Sequence, residues 1–171
     1  MPKQPLSYDC APSALIWALV VAILAQPASA LSCMRPDPMR SFDQAASARE
    51  AYVVLYGRFA FDPGLLPKRT GSENFAPNDV TEVPARFVGN GLTPRGFTVP
   101  VVRDVTLRFE CLGPWCGSGV PDVLTLAFVE KIGADYALTI GPCRAQMFDN
   151  PETKVLASMA VCMAQGVCPT Q

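Results

Sequence analysis

The sequence contains no histidine, and this absence excludes several kinds of active site. Ser-His-Asp and Cys-His catalytic groups and HExxH zinc sites all need an imidazole. Charge is also scarce, because 14 Lys and Arg stand against 15 Asp and Glu in 171 residues and no block of like charge occurs. A nucleic-acid partner is therefore not expected. No C-x-x-C pair is present either, so we expect no metal and no cofactor.

Residues 1–30 have the pattern of an export signal. The apolar run Leu15–Ala25 is too short for a transmembrane helix of about 20 residues, but it suits a signal-peptide core of about 7 to 15. The small residues Ala28 and Ala30 then form an A-x-A cleavage pattern. We predict a cut after Ala30 and export to the periplasm or the extracellular space, which leaves residues 31–171 as one domain.

A lipoprotein signal is the alternative interpretation of this segment. Cys33 would then become the acylated first residue, and the protein would be anchored to a membrane. Such signals normally have leucine three residues before the cysteine, whereas this chain has Ala30 there. A membrane partner is therefore expected only if Cys33 is lipidated.

Cysteine is the residue type that most constrains the exported domain. Six of the seven cysteines lie after residue 30, namely Cys33, Cys111, Cys116, Cys143, Cys162 and Cys168. An even number in an exported chain is typical of a disulfide framework. The count alone leaves fifteen connectivities open if all six pair.

Two short helices are predicted, one near each end of the domain. Ser41–Glu50 offers a serine N-cap and alanine-rich helix formers, and two prolines hold the segment before it extended. Near the C-terminus, Asn150 and Pro151 are typical of the N-cap and first helical position, and Gly166 is typical of a helix end. This pattern predicts a helix over about residues 150–166.

Five strands are predicted between these helices. Ala51–Phe61 is dense in β-branched and aromatic residues, and Gly57 in its middle suggests a bulge or a bend. Pro84 places the second strand, Thr81–Val88, most easily at an edge or a bulge. The other strands are Val105–Cys111, Asp122–Glu130 and Tyr136–Ile140, with turns at Gly89–Gly91 and Pro94–Gly96 and a hairpin joining the last two strands.

The segment Cys33–Phe42 has the form C-x-x-P-x-P-x-x-S-F, and a strand with a central glycine follows it. It resembles the opening of the tissue inhibitors of metalloproteinases and the wider netrin-like (NTR) module. Further segments that resemble strands of that family are Ala85–Gly89, Phe109–Cys111, Leu126–Phe128 and Tyr136–Cys143. The resemblance implies a mainly β fold, a five-stranded OB-like barrel with a helix at each end.

The resemblance also implies a disulfide pairing. In the family, the cysteine at the place of Cys33 bonds to the one that ends the fifth strand, which here is Cys143. The remaining cysteines then pair as Cys111 with Cys116 and Cys162 with Cys168. The family's inhibitors begin their mature chain with the cysteine that chelates zinc, whereas two residues precede Cys33 after the predicted cut. This difference argues against chelation by this N-terminus.

The predicted binding residues are Met34, Arg35 and Pro36 in the N-terminal segment and Trp115 in the loop between two cysteines. An aromatic side chain in a rigid loop is a typical binding anchor, although Trp115 would more often cover one end of the barrel. The long loop Asp62–Asn78, which includes Lys68, Arg69 and Phe75, is a further candidate for recognition.

The function favoured by these observations is a non-enzymatic binding module for a protein or a polysaccharide. The resemblance implies its sharpest version, an inhibitor of an exported protease. One alternative is a small hydrolase with two catalytic carboxylates, but no spacing singles out a pair among Asp37, Asp43, Asp62, Glu110 and Asp122. The other alternative is a structural lipoprotein of the cell envelope, anchored at Cys33.

Overall fold

A computed structural model describes residues 31–68 and 79–169. The predicted export signal, its cleavage site and loop residues 69–78, with Arg69 and Phe75, lie outside these ranges. In chain order the elements are α1 (Pro38–Ser47), β1 (Ala51–Phe61), a short 3-10 helix (Pro63–Leu65), β2 (Val80–Thr93), β3 (Gly96–Leu112), β4 (Trp115–Cys116), β5 (Thr125–Ile132), β6 (Asp135–Ile140), β7 (Met147–Asp149) and α2 (Thr153–Gln165).

The five longer strands pair in a closed ring. The order around the ring is β1, β2, β3, β6 and β5, and β1 closes it because it pairs with both β2 and β5. All neighbours are antiparallel except β3 and β6, which run parallel. The sequence predicted these five strands, and the structure adds the short strands β4, beside β3, and β7, beside β5. The protein is therefore mainly β.

Two hydrophobic cores hold the ring and the helices together. The first fills the ring and includes the fully buried side chains of Phe59, Phe87 and Phe109. The second includes Phe42 of α1 and Phe128 of β5, and it packs both helices against the outside of the ring. Each such large apolar side chain contributes about 1.5 to 3 kcal/mol when fully buried.

Gly57 marks a close approach of two strands. Its pairing continues without a register shift toward both β2 and β5, so of the two predicted alternatives the bulge is wrong and the bend stays a prediction. A Cβ atom at Gly57 would lie 2.3 Å from the carbonyl oxygen of Val88 and 2.6 Å from the Cα atom of Gly89, its cross-strand partner. Two facing glycines therefore let β1 and β2 approach over the buried ring of Phe87.

β2 is longer than the sequence predicted, because it runs to Thr93 instead of Val88. The turn predicted at Gly89–Gly91 is wrong: these residues pair with β1 and β3, and the chain turns at Pro94 and Arg95. After Gly91, β2 no longer pairs with β1, and the start of β3 has no pairing with β6, so this hairpin leaves the closed part of the ring. We call residues 89–103 the β2–β3 arm.

Pro84 lies where β2 has one neighbour. It pairs with Thr106 of β3, but the pairing of β2 with β1 ends at Ala85 and Phe61. Proline has no N–H to donate, and no partner strand needs one on the β1 side at this position. This is locally the edge position that the sequence favoured.

The first helix begins earlier than predicted. Asp37 is its N-cap, since its carboxylate accepts a hydrogen bond of 3.0 Å from the backbone N–H of Met39, and Pro38 occupies the first turn. The expected N-cap, Ser41, lies inside the helix and donates its hydroxyl to the carbonyl oxygens of Asp37 and Ala145.

The second helix begins later than predicted. Asn150 adopts a φ of 47° and donates its backbone N–H to the carbonyl oxygen of Leu124, so it belongs to the connection after β7. Glu152 stands at the N-cap instead, without a side-chain hydrogen bond. The helix ends at Gly166 in the left-handed conformation, as the sequence predicted.

Three disulfides are present, and they are the pairs implied by the resemblance. Cys33 bonds to Cys143 across 110 residues of chain. The other two close short loops: Cys111–Cys116 links β3 to β4, and Cys162–Cys168 encloses the end of α2.

Candidate functional site

The predicted N-terminal binding segment is held at one end of the ring. Cys143, which bonds to Cys33, follows closely after Ile140, the last residue of β6. Ile140 pairs with Phe109 near the end of β3. The segment after Cys33 therefore starts at the end of the ring where β3 and β6 finish.

Met34, Arg35 and Pro36 all have exposed side chains at this end. Met34 is 72% exposed, so it does not fill a gap in the core. Trp115 lies at the same end, in β4 next to the end of β3, where it pairs with Leu112. Trp115 is 36% exposed and Leu112 is exposed as well, so these two side chains form a small apolar surface there.

The carboxylates considered for a hydrolase have structural partners in three cases. Asp37 caps α1 and Asp62 caps the 3-10 helix, where it accepts a hydrogen bond of 2.8 Å from Gly64 N–H. Asp43 accepts a hydrogen bond of 2.8 Å from the backbone N–H of Cys168 and so ties the C-terminal loop to α1. These contacts give the three residues roles in holding the backbone.

An open groove lies at the opposite end of the ring. The pairing of β1 with β2 begins at Leu55 and Gly91, so residues 51–54 of β1 have no partner on that side. The β2–β3 arm diverges from β1 at this point. A groove of about 770 Å³ opens between the arm, the first half of β1 and the two helices.

Local features of the arm keep this groove open. Gly91 contributes no side chain to it, and a Cβ atom there would contact the side chain of Val101 at 3.5 Å. The pairing steps from Gly91 and Val99 to Leu92 and Phe97, and this register shift places Phe97 on the same face as Leu92, where both pack into the second core under the helices. Val99 and Val101 then line the groove without a large side chain opposite them on β2.

The groove is apolar apart from three polar side chains. Val53 and Leu55 of β1, Ala46 of α1 and Met163 of α2 complete its apolar lining together with the valines of the arm. Among the described residues that line it, Arg103 alone carries a charge, and Tyr52 and Tyr136 supply hydroxyl groups. Such a lining suits an apolar ligand oriented by a few polar contacts.

The two sides of the groove differ in electrostatic environment. Burial raises the pKa of the Tyr52 phenol, and its cross-strand neighbour Glu130 raises it further, as Glu50 does more weakly. A hydrogen bond with Gln146 lowers this pKa but does not cancel the increase. The phenol of Tyr52 therefore stays neutral to a higher pH than an ordinary tyrosine, and the charge of the groove is the positive charge of Arg103 on the arm side.

The chain matches no protein-family model, and comparison with curated proteins and with solved structures finds no similar protein. Within residues 31–68 and 79–169, no three Cys, Asp or Glu side chains cluster in a way that could hold a metal ion. In the same ranges, neither helix has the length and apolar character needed to cross a membrane.

The groove is the feature that the sequence reasoning missed. Residues 97–104 lie outside the strands predicted from the sequence, although this segment forms the first half of β3. A signal was present, because the alternation of the buried residues Val105 and Leu107 continues backward through Arg103, Val101 and Val99. Pro100 and the adjacent Val102 conceal that alternation.

Proposed function

We propose that this chain is an exported, non-enzymatic binding module of OB-like fold, and that it binds an apolar ligand in the groove under the β2–β3 arm. The observation that carries the proposal is the groove itself. Its volume of about 770 Å³ is within the range of about 300 to 1,000 Å³ of small-molecule sites.

The order of the strands supports the OB-like part of the proposal. If the two short strands are set aside, the third strand of the ring pairs in parallel with the fifth, and the first closes the ring with the fourth. This is the order expected for a five-stranded Greek-key barrel of OB type. We also propose that this OB-like fold is of the netrin-like kind. The support is the Cys33–Phe42 motif and the long disulfide from Cys33 to Cys143.

Export is supported by the disulfides and by the N-terminal sequence. Three disulfides in a domain of this size are typical of proteins that fold in an oxidising compartment. The apolar run and the A-x-A pattern before Leu31 supply the signal that such a destination requires.

A second candidate function is a protein contact at the other end of the ring. The exposed side chains of Met34, Leu112 and Trp115 favour it, because exposed apolar and aromatic side chains are typical of interface centres. Inhibition of an exported protease is the sharpest form of this candidate. A polysaccharide partner stays a prediction without a further observation.

The test of the groove uses Nile red, an uncharged apolar dye whose fluorescence rises in apolar surroundings. We expect saturable binding to the purified protein. Val99→Glu places a carboxylate against the bound ligand and should weaken binding at least tenfold, because burying an unpaired charge is unfavourable. Val99 is 50% exposed, so the new carboxylate is solvated in the ligand-free variant. The variant is therefore expected to fold like the wild type.

Val88→Glu is the matched control. Val88 lies on β2, where it pairs with Val102 of β3, and it is 54% exposed. It does not line the groove. The control should bind the dye like the wild type, and far-ultraviolet circular dichroism should show both variants folded. Absence of saturable binding, or equal binding by both variants, would contradict the proposal.

A further inference from the structure

Arg103 is the feature of the groove that an apolar ligand alone does not explain. It lies on β3 two residues before the buried Val105 and therefore on the same face of the strand, but its own side chain is exposed at the mouth of the groove. An arginine at the open mouth of an apolar groove needs an anionic partner or water for its five N–H donors.

No described residue forms an ion pair or a hydrogen bond with the side chain of Arg103. The adjacent carboxylate of Asp104 is engaged elsewhere, since it pairs with Arg86 at 2.8 Å. Asp104 follows Arg103 directly and so points to the other face of the strand. The positive charge at the groove is thus left for a ligand.

We infer that the ligand is a single long-chain carboxylate, whose chain lies along the valines of the groove and whose head group pairs with Arg103. This inference rests on the proposed function. Arginine binds a carboxylate through two parallel N–H donors, which fixes the orientation of the head group.

The position of the other polar groups agrees with this orientation. Tyr136 lines the same groove from β6, the parallel neighbour of β3, and its hydroxyl can donate a second hydrogen bond to the head group. On the β1 side of the groove, none of the described lining residues carries a positive charge. The head group therefore belongs at the arm and the chain extends toward β1 and the helices.

A single molecule fits these charges better than a membrane surface does. The chain has a net charge of −1, and Arg86, an outward-facing cation beside the arm, is paired with Asp104. An anionic membrane attracts proteins through several exposed cations on one face. Here the described residues of the arm include two cations without a carboxylate partner, Arg103 at the groove and Arg95 at the tip, and these do not form a cationic face.

The experiment measures displacement of Nile red by three ligands with the same sixteen-carbon chain: hexadecanoate, hexadecanol and hexadecyltrimethylammonium. We expect the carboxylate to bind the wild type about tenfold more tightly than the alcohol, and the cation to bind more weakly than both. Arg103→Gln should remove the advantage of the carboxylate and leave the affinity for the alcohol unchanged. Arg95→Gln, at the tip of the arm, is the control and should behave like the wild type.

The outcomes separate this inference from the proposed function. If Nile red does not bind, the groove is not a ligand site and both fail. If the dye and all three ligands bind but the wild type does not distinguish carboxylate from alcohol, or Arg103→Gln weakens both equally, the inference is wrong and the apolar site remains. If the protein sediments with anionic phospholipid vesicles through Arg103 and does not bind monomeric hexadecanoate, the membrane reading replaces it.

Discussion

Replacing both Cys33 and Cys143 by alanine removes the cross-link that closes the longest loop of the protein. The bond spans 110 residues, and the chain-entropy model gives such a loop about 5 kcal/mol of stabilisation. Cys33 is exposed and Cys143 is half-buried, so little packing is lost with the sulfur atoms. We therefore expect the free energy of unfolding to fall by about 4 to 5 kcal/mol.

This loss is large compared with the stability of about 5 to 15 kcal/mol of ordinary domains, so the variant is measured at low temperature, where more of the protein is folded. The loss corresponds to a decrease of about 10 to 20 °C in the melting temperature. Urea unfolding followed by far-ultraviolet circular dichroism measures the change directly. Both cysteines must be replaced together, because one remaining thiol could exchange with the other disulfides.

The comparison variant lacks Cys111 and Cys116 instead. Its loop spans only 5 residues, so loop entropy accounts for about 2 kcal/mol, although both side chains are buried and some packing is lost as well. A loss below about 2 kcal/mol in the Cys33 and Cys143 variant would refute the reasoning, because the long loop would then contribute no more than a short one.

Three further predictions concern the ring, the groove and the loop between β6 and β7. Gly57→Ala should destabilise the fold by more than about 2 kcal/mol in urea unfolding, because its Cβ atom would lie 2.3 Å from a carbonyl oxygen of β2; a loss below about 0.5 kcal/mol would contradict the close approach. The raised pKa of Tyr52 predicts that the stability of the fold falls as pH rises above about 10. Glu130→Gln should lower this pKa, so the ultraviolet titration of the phenol, obtained as the difference from Tyr52→Phe, should move to lower pH. An unchanged titration would contradict the role of Glu130. Asp149→Asn should cost about 1 to 2 kcal/mol in thermal unfolding, since it removes the partly buried partner of Arg144; an unchanged melting temperature would contradict that pairing.

The ring strands were predictable where local pattern and final environment agree. The predicted bounds of β1, Ala51–Phe61, are those of the structure, because β-branched and aromatic residues fill the strand and one face is buried. The start of α1 could also have been predicted from the sequence, since Asp37 and Pro38 form a typical N-cap and first turn. It was missed because two prolines suggested an extended segment.

The groove depends on contacts between distant residues, which a single sequence does not display. The residues around Gly91 predict a turn. Its pairing with Leu55 and Val99 instead places it in a strand at the floor of the groove. Arg103 reads as an ordinary surface charge. Its proposed role in binding a carboxylate rests on the pairing of Asp104 with Arg86 on the other face, a contact set by the register of β2 and β3.

Nuclear magnetic resonance of the valine methyl groups during a titration with hexadecanoate tests the central claim most directly, since valines occur at both the groove and remote surfaces. We predict saturable shifts of Val53, Val99 and Val101, with Val88 and the indole signal of Trp115 unchanged. Shifts centred on Trp115 with Val53 and Val101 unchanged would place binding at the other end of the ring and contradict the groove as the ligand site.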